Sequence, residues 1–472
     1  MMDEKNNKVL FAEAKKDFVD VLLSFLTLPL GTIARLVAKD SNIGAVKVGS
    51  LSTLYASVSN LEEEYLWTPT CKEMLLQPRN SMEDYCQQLK LNIDDTEPTK
   101  YFLCENANCY SKSSGSLLST FKNQRCSCGN LMNKEMSPVK MTLENGFVYE
   151  TADFIICDDM SVLPNGLITS VGLLRKLGIK YMDAIMERTV DISKSEVIDL
   201  LKFSLLSKTP LTSFIFGKKP GVVNFNPINR PLPETGEQSS DDDKKMVVKV
   251  LVRKSDTKIL FAEADEDFAD LLLSFLTLPL GGVMHVLEGC SCVSSIDKLY
   301  KSICELRSQA LKEKLSNPKC APLFSFGNQI LPIGELCSPV YYCNTGCSHS
   351  NEFRIDLATK PRSPIGVKCY YNSFRLDIVD PKSFVGNSKG NGGFAKGPSM
   401  YMVTDDLVVT PISSVSGVSY LNRSKVSLFD VEEMVISIGV KEALTILKAS
   451  LTSTSALTNS LKPFIQSVKR ET

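Results

Sequence analysis

The chain has 472 residues, and its 53 Lys and Arg against 54 Asp and Glu leave a formal charge of −1. That balance excludes a basic nucleic-acid-binding arm, and the length corresponds to about three average domains. The composition, 43% apolar and 23% charged with 26 Gly and 22 Pro, is ordinary for a globular chain that buries a sizeable core, and it excludes wholesale disorder.

No apolar leader follows the opening MMDEKNNK, and the longest uncharged apolar runs, 21–34 and 271–287, are interrupted by Pro and Gly. Both fall short of the roughly 20 residues that span a bilayer. The expectation is a soluble protein of the cytoplasm or nucleus, without signal peptide or transmembrane segment. In that reducing setting its 15 cysteines serve as free thiols, core residues or metal ligands rather than disulfides.

In chain order, VLFAEA at 9–14 predicts a buried strand. A helix capped by Asp17 follows, with Phe18, Val21, Leu22, Phe25 and Leu26 at the i, i+3, i+4, i+7, i+8 spacing of a core-facing stripe. LPLG ends it, because Pro29 lacks an N–H and Gly31 accommodates a left-handed turn. Helical pieces are expected at 51–61, a hairpin at 139–150 around Asn145-Gly146, and a late helix within 195–212. The proline-rich, then acidic stretch 218–245 reads as a solvated linker, with Ser239 and Ser240 placed for an acid-directed kinase. Next, VVKVLV and ILFAEA flank the polar turn 254–257 and spell a hairpin whose first strand has no counterpart near residue 1. A second helix capped by Asp267, a second LPLG with Pro279 and Gly281, helical pieces over 296–315 and a late helix within 441–458 complete the series.

The series is a duplication. FAEAKKDFVDVLLSFLTLPLG at 11–31 returns as FAEADEDFADLLLSFLTLPLG at 261–281, differing only at Lys15, Lys16, Val19 and Val21. Asp158-Asp159 matches Asp405-Asp406, and SEVIDLLKFSLLSKTPLT matches KEALTILKASLTSTSALT. A repeat distance of about 250 residues lies far above solenoid periods. The expected fold is α+β in two tandem homologous domains, 1–217 and 246–472, joined by the linker. Each is a small mixed sheet with packed helices and a cysteine-bearing, ribbon-like excursion, and each is expected to fold by itself.

Cys104, Cys109, Cys126 and Cys128, spaced C-x4-C-x16-C-x-C, are the sharpest chemical feature. Two close pairs of thiolates suit tetrahedral zinc, and a site filled by four protein ligands is structural rather than catalytic. A weaker second set is Cys343, Cys347 and Cys369, completed by Cys337 or His349. Cys290 and Cys292 read as core or surface thiols. With only two histidines, HExxH zinc motifs are absent, and His285 in GGVMHVL reads as packed. The glycine-rich 386–397 lacks the P-loop order and reads as a loop, and the Asp-Asp pairs read as strand-end turns that cap helices. No nucleophile, base and oxyanion donor converge in the sequence, so no catalytic residue is assigned.

The motif FAEAxxDFxDxLLSFLTLPLG, the cysteine pairs, the Asp-Asp step and the duplication together resemble the plant family of uncharacterised proteins called DUF674, over essentially the whole chain. The resemblance implies a plant, intracellular protein and carries over no functional residue. The reading that results is a non-catalytic protein-interaction or scaffold protein with structural zinc in its first repeat and an unidentified protein partner. One alternative is a zinc-ribbon-type nucleic-acid-associated protein, drawn from Lys112, Lys122, Arg125, Lys134 and Lys140 around the first cysteine cluster. Another is an enzyme with a site assembled between the repeats.

Overall fold

The computed structural model describes residues 1–109, 115–137, 146–148, 153–182, 185–217, 245–305, 309–347, 353–361, 371–383 and 392–471. The predicted hairpin at 139–150 lies outside them except for Gly146 to Val148, and so does nearly all of the linker. The architecture is α+β. In the second half a five-stranded sheet runs in the order Val431–Ile438, Met246–Arg253, Lys258–Ala264, Tyr401–Thr404, Val409–Pro411, antiparallel throughout. Met246, Val248, Val250 and Val252 alternate inwards, as a strand with one face on the core requires.

The first half repeats this order over two smaller sheets: Ile185–Met186, Met2–Asp3 and Lys8–Val9, then Phe11–Lys15, Asp153–Cys157 and Val162–Pro164. Met2 pairs with Val9 just as Val252 pairs with Ile259, so the first half does have the leading strand expected to be missing, as a two-residue rung.

The first helix spans Lys16–Ser24 and passes into a 3-10 turn, Phe25–Thr27; its copy spans Glu266–Ser274. Both start before the aspartates assigned as caps. Asp265, not Asp267, accepts a bond from Phe268 N at 3.4 Å, and Lys15 occupies the matching cap position with no side-chain bond. Pro29 and Pro279 then open new helices, Leu30–Ala38 and Leu280–Val286. Gly31 and Gly281 therefore lie inside helices, and close approach rather than handedness requires them. A Cβ on Gly31 would sit 3.0 Å from the Leu276 carbonyl oxygen, and one on Gly281 would sit 2.9 Å from that of Leu26.

These contacts join the halves. Leu30 N donates to Leu278 O and Leu280 N to Leu28 O, both at 2.9 Å. Leu22, Phe25, Leu26, Leu272, Phe275 and Leu276 are all fully buried in one cluster. At about 1.5–3 kcal/mol per buried large apolar side chain, such a shared core binds the halves to each other. Helix Leu51–Asn60 reaches across through Ser50 Oγ to Ser453 O at 2.7 Å and Thr53 Oγ1 to Asp406 O. Helix Ser294–Glu305 reaches back through Ser295 Oγ to Ser207 O at 2.7 Å and accepts Val162 N on Ser302 Oγ at 2.9 Å.

Each late helix is double: Lys194–Leu206 with Pro210–Ile215, and Val440–Thr452 with Ala456–Glu471. Asp158 accepts Thr212 N and Oγ1 at 2.8 and 2.7 Å, and Asp405 accepts Thr458 N at 2.8 Å, so the first aspartate of each pair caps the second helix. Among the described residues no helix is long and apolar enough to cross a membrane.

Candidate metal centre

Tyr101–Cys104, Leu131–Met136 and Gln124–Arg125 form a three-stranded ribbon in that order. The register shifts between Leu103 and Cys104, a bulge that re-aims the last residue of the strand. The chain then turns through Ala107–Cys109, with Cys109 N donating to Asn106 O at 3.0 Å. On the other side Cys126 directly follows the strand Gln124–Arg125 and Cys128 sits on a tight turn closed by Gly129 N to Cys126 O at 2.9 Å, with φ of 88° at Gly129. That left-handed residue is what lets the chain reverse within C-x-C-G.

The two turns bring Cys104, Cys109, Cys126 and Cys128 together, with all four sulfurs within 4.8 Å of one another and Cys104 Sγ 3.5 Å from Cys128 Sγ. Zinc–sulfur bonds of about 2.3 Å in a tetrahedron put sulfurs about 3.8 Å apart, so the cluster has the dimensions of a four-thiolate site. Asn106 N donates to Cys104 Sγ at 3.4 Å, and Asn130 N donates to the sulfur of Cys128. Amide donors of this kind favour thiolate over thiol. The Asn130 bond, with help from the neighbouring thiols, brings Cys128 down to about 7, whereas burial pushes Cys104 up. Cys109 is also raised, first by its contact with Cys128. Three of the cysteines are buried and Cys128 is exposed.

The sequence did not reveal what the ribbon rests on. Phe102, Met132, Cys104, Cys109 and Cys126 pack with Val379 of the second half. Between the cysteine pairs, Ser116–Leu118 runs parallel to Leu376 through Ile378 as the edge strand of a separate sheet whose other strands are Phe353–Ala358, Tyr341–Cys347 and Tyr371–Ile378, and Tyr101 and Tyr341 share a 2.7 Å hydroxyl contact.

The second cysteine set is placed differently. Cys343 and Cys347 lie on one strand, Tyr341–Cys347, four residues and about 13 Å apart at strand rise, so the strand does not bring them to one ion. Burial pushes Cys343 up to about 11. Cys337 is exposed, while Cys369 and His349 lie outside the described residues. Cys290 and Cys292 are half-buried. His285, expected to be packed, is exposed on the last turn of its helix, with Nδ1 3.1 Å from Tyr300 OH. Lys122 and Arg125 are exposed beside the cluster; Lys112 and Lys140 lie outside the described residues. A cavity of 340 Å³ is lined by Glu83, Cys86, Asp94, Asp95 and Glu97. Its carboxylates are engaged: Asp95 with Arg35 and Lys39, Glu97 with Lys100, Glu83 with Thr99.

The family model described as "Protein of unknown function (DUF674)" matches residues 1–441. No curated protein and no solved structure matches the chain. With 1–441 of its 472 residues matched, the chain belongs to the DUF674 family.

Proposed function

We propose that the chain is a non-catalytic protein-interaction or scaffold protein whose first half holds one structural zinc ion in Cys104, Cys109, Cys126 and Cys128. The observation that carries the metal is the convergence of four sulfurs from two turns within 4.8 Å. Thiolates at all four vertices leave no open position for water or substrate, so the ion's work is to hold the ribbon. The ribbon's polar sequence offers little core of its own, and a metal cross-link replaces it.

Matched apolar side chains left in solvent support the interaction role. Ile168 is 90% exposed and its counterpart Val415 76%; Met182 is 53% exposed and its counterpart Phe429 93%. Such residues sited equivalently in both halves mark contact surfaces rather than scatter. Cobalt(II) substitution tests the site: the expected result is the absorption of a tetrahedral thiolate complex at one equivalent, lost in Cys126→Ser/Cys128→Ser. A colourless titration sinks the reading. The scaffold role is tested with Ile168→Asp/Val415→Asp/Phe429→Asp, expected to keep the metal and the melting point while reducing binding of an apolar reporter dye.

A further inference from the structure

A set of the contacts between 1–217 and 246–472 comes in reciprocal pairs, while others, such as the pairing of Ser116–Leu118 with Leu376 through Ile378, run one way. Leu30 N bonds Leu278 O and Leu280 N bonds Leu28 O at the same 2.9 Å, with Pro29 facing Pro279. Exchanging each residue for its copy 250 positions away turns one bond into the other. The helices mirror each other at a slightly shorter offset, since Ser50 Oγ reaches Ser453 O and Ser295 Oγ reaches Ser207 O, both at 2.7 Å, with 245 positions between the donors and 246 between the acceptors. The glycines obey the exchange rule, Gly31 lying under Leu276 and Gly281 under Leu26. Reciprocity of this kind defines an isologous interface, in which a patch meets its own copy.

We propose that the LPLG face is self-complementary, and that the partner it fits is the same half of a second copy of this chain: 246–472 of one molecule docks on 246–472 of another. The second half alone carries every group the pairing uses. Leu278 and Leu280 supply the reciprocal bonds, Gly281 the space beneath a Leu276 carbonyl, and Ser295 the donor for a Ser453 carbonyl. In the intact chain the tether favours the internal partner over a second copy by setting an effective concentration in the mM range. Pairing between copies becomes competitive once that advantage is removed.

The test starts from the full chain with a protease site inserted within 218–244, in two preparations that carry different tags at the end of 472. Both are cut, pooled and taken through denaturation and refolding. The expected result is a particle containing both tags, a pair of 246–472 pieces, alongside re-formed pairs of unlike halves that show refolding succeeded. Recovery of unlike pairs only, or of single 246–472 pieces, overturns the proposal. Where refolding fails, the cut and pooled sample is followed by native mass spectrometry without denaturant; doubly tagged pairs are again expected, and their absence while unlike halves exchange between preparations overturns it. If unlike halves do not exchange either, the pieces are separated in mild denaturant, and aggregation of isolated 246–472 overturns it as well.

Discussion

Asp20 and Asp270 hold the same loop in opposite electrostatic settings. Asp20 accepts Phe147 N and Val148 N at 2.8 and 3.0 Å, and Asp270 accepts Phe394 N and Ala395 N at 2.7 and 2.6 Å. Lys16 neutralises Asp20 at 2.6 Å, whereas the residue matched to Lys16 in the second half is Glu266. Burial pushes Asp270 up to about 7.

The pH dependence follows in sign. Because the folded-state value lies above that of an unfolded aspartate, Asp270's contribution to stability is complete below about pH 4 and is lost as pH rises through about 7. Denaturant titrations between pH 4 and 8 are expected to show that decline in the parent and a flatter profile in Asp270→Asn. An unchanged slope in the variant would contradict it.

At neutral pH the two asparagine variants are expected to differ. Asp20→Asn leaves the buried Lys16 ammonium without its counter-charge, a loss of about 3–5 kcal/mol for breaking a buried pair. Asp270→Asn removes a buried negative charge and keeps the oxygen that accepts both amides, so its cost is smaller. Midpoints in urea decide, and a milder Asp20→Asn would refute the assignment.

Glycines separate in the same way. Gly281→Ala puts a Cβ 2.8 Å from Pro318 Cγ and 2.9 Å from Leu26 O, and is expected to destabilise by about 1–3 kcal/mol, as overpacking does. Gly172, within helix Leu167–Lys176, has nothing within 4 Å of its added Cβ, and Gly172→Ala is expected to stabilise by about 0.5–1 kcal/mol through helix propensity. Thermal melts with the opposite order would count against the packing described.

Metal removal is expected to reach the second half. Val379 N donates to Leu118 O at 2.9 Å, and Val379 packs on the cysteine turns, so chelation should raise amide exchange at 371–379 as well as at 101–136. Unchanged exchange at 371–379 would show that the ribbon and that strand are uncoupled.

Much of this architecture is legible in the sequence for local reasons. The stripe Leu22, Phe25, Leu26 and its copy Leu272, Phe275, Leu276 declare a core face through periodicity alone, and C-x-C-G declares a tight turn that sets two thiols close together. What escaped depends on distant residues. Gly31 is explained by a carbonyl 245 positions away, at Leu276, which no local pattern encodes. The bonds of Leu30, Ser50 and Ser295 across the boundary are equally hidden, because a repeated sequence declares a repeated unit and not what that unit packs against. The cap was placed at Asp17 because the apolar stripe starts at Phe18, yet the backbone already turns helical at Lys16. Cys343 and Cys347, of the weaker set with Cys369, lie on one extended strand, a difference from the turns of the first set that their spacing does not encode.

The most direct test of the account is the zinc content of the full chain, measured by elemental analysis on protein purified without a metal-chelating tag, beside Cys126→Ser/Cys128→Ser. One zinc per chain in the parent and none in the variant is the predicted result. Zinc-free parent protein with an intact ribbon, or equal zinc in both, would contradict the site formed by Cys104, Cys109, Cys126 and Cys128.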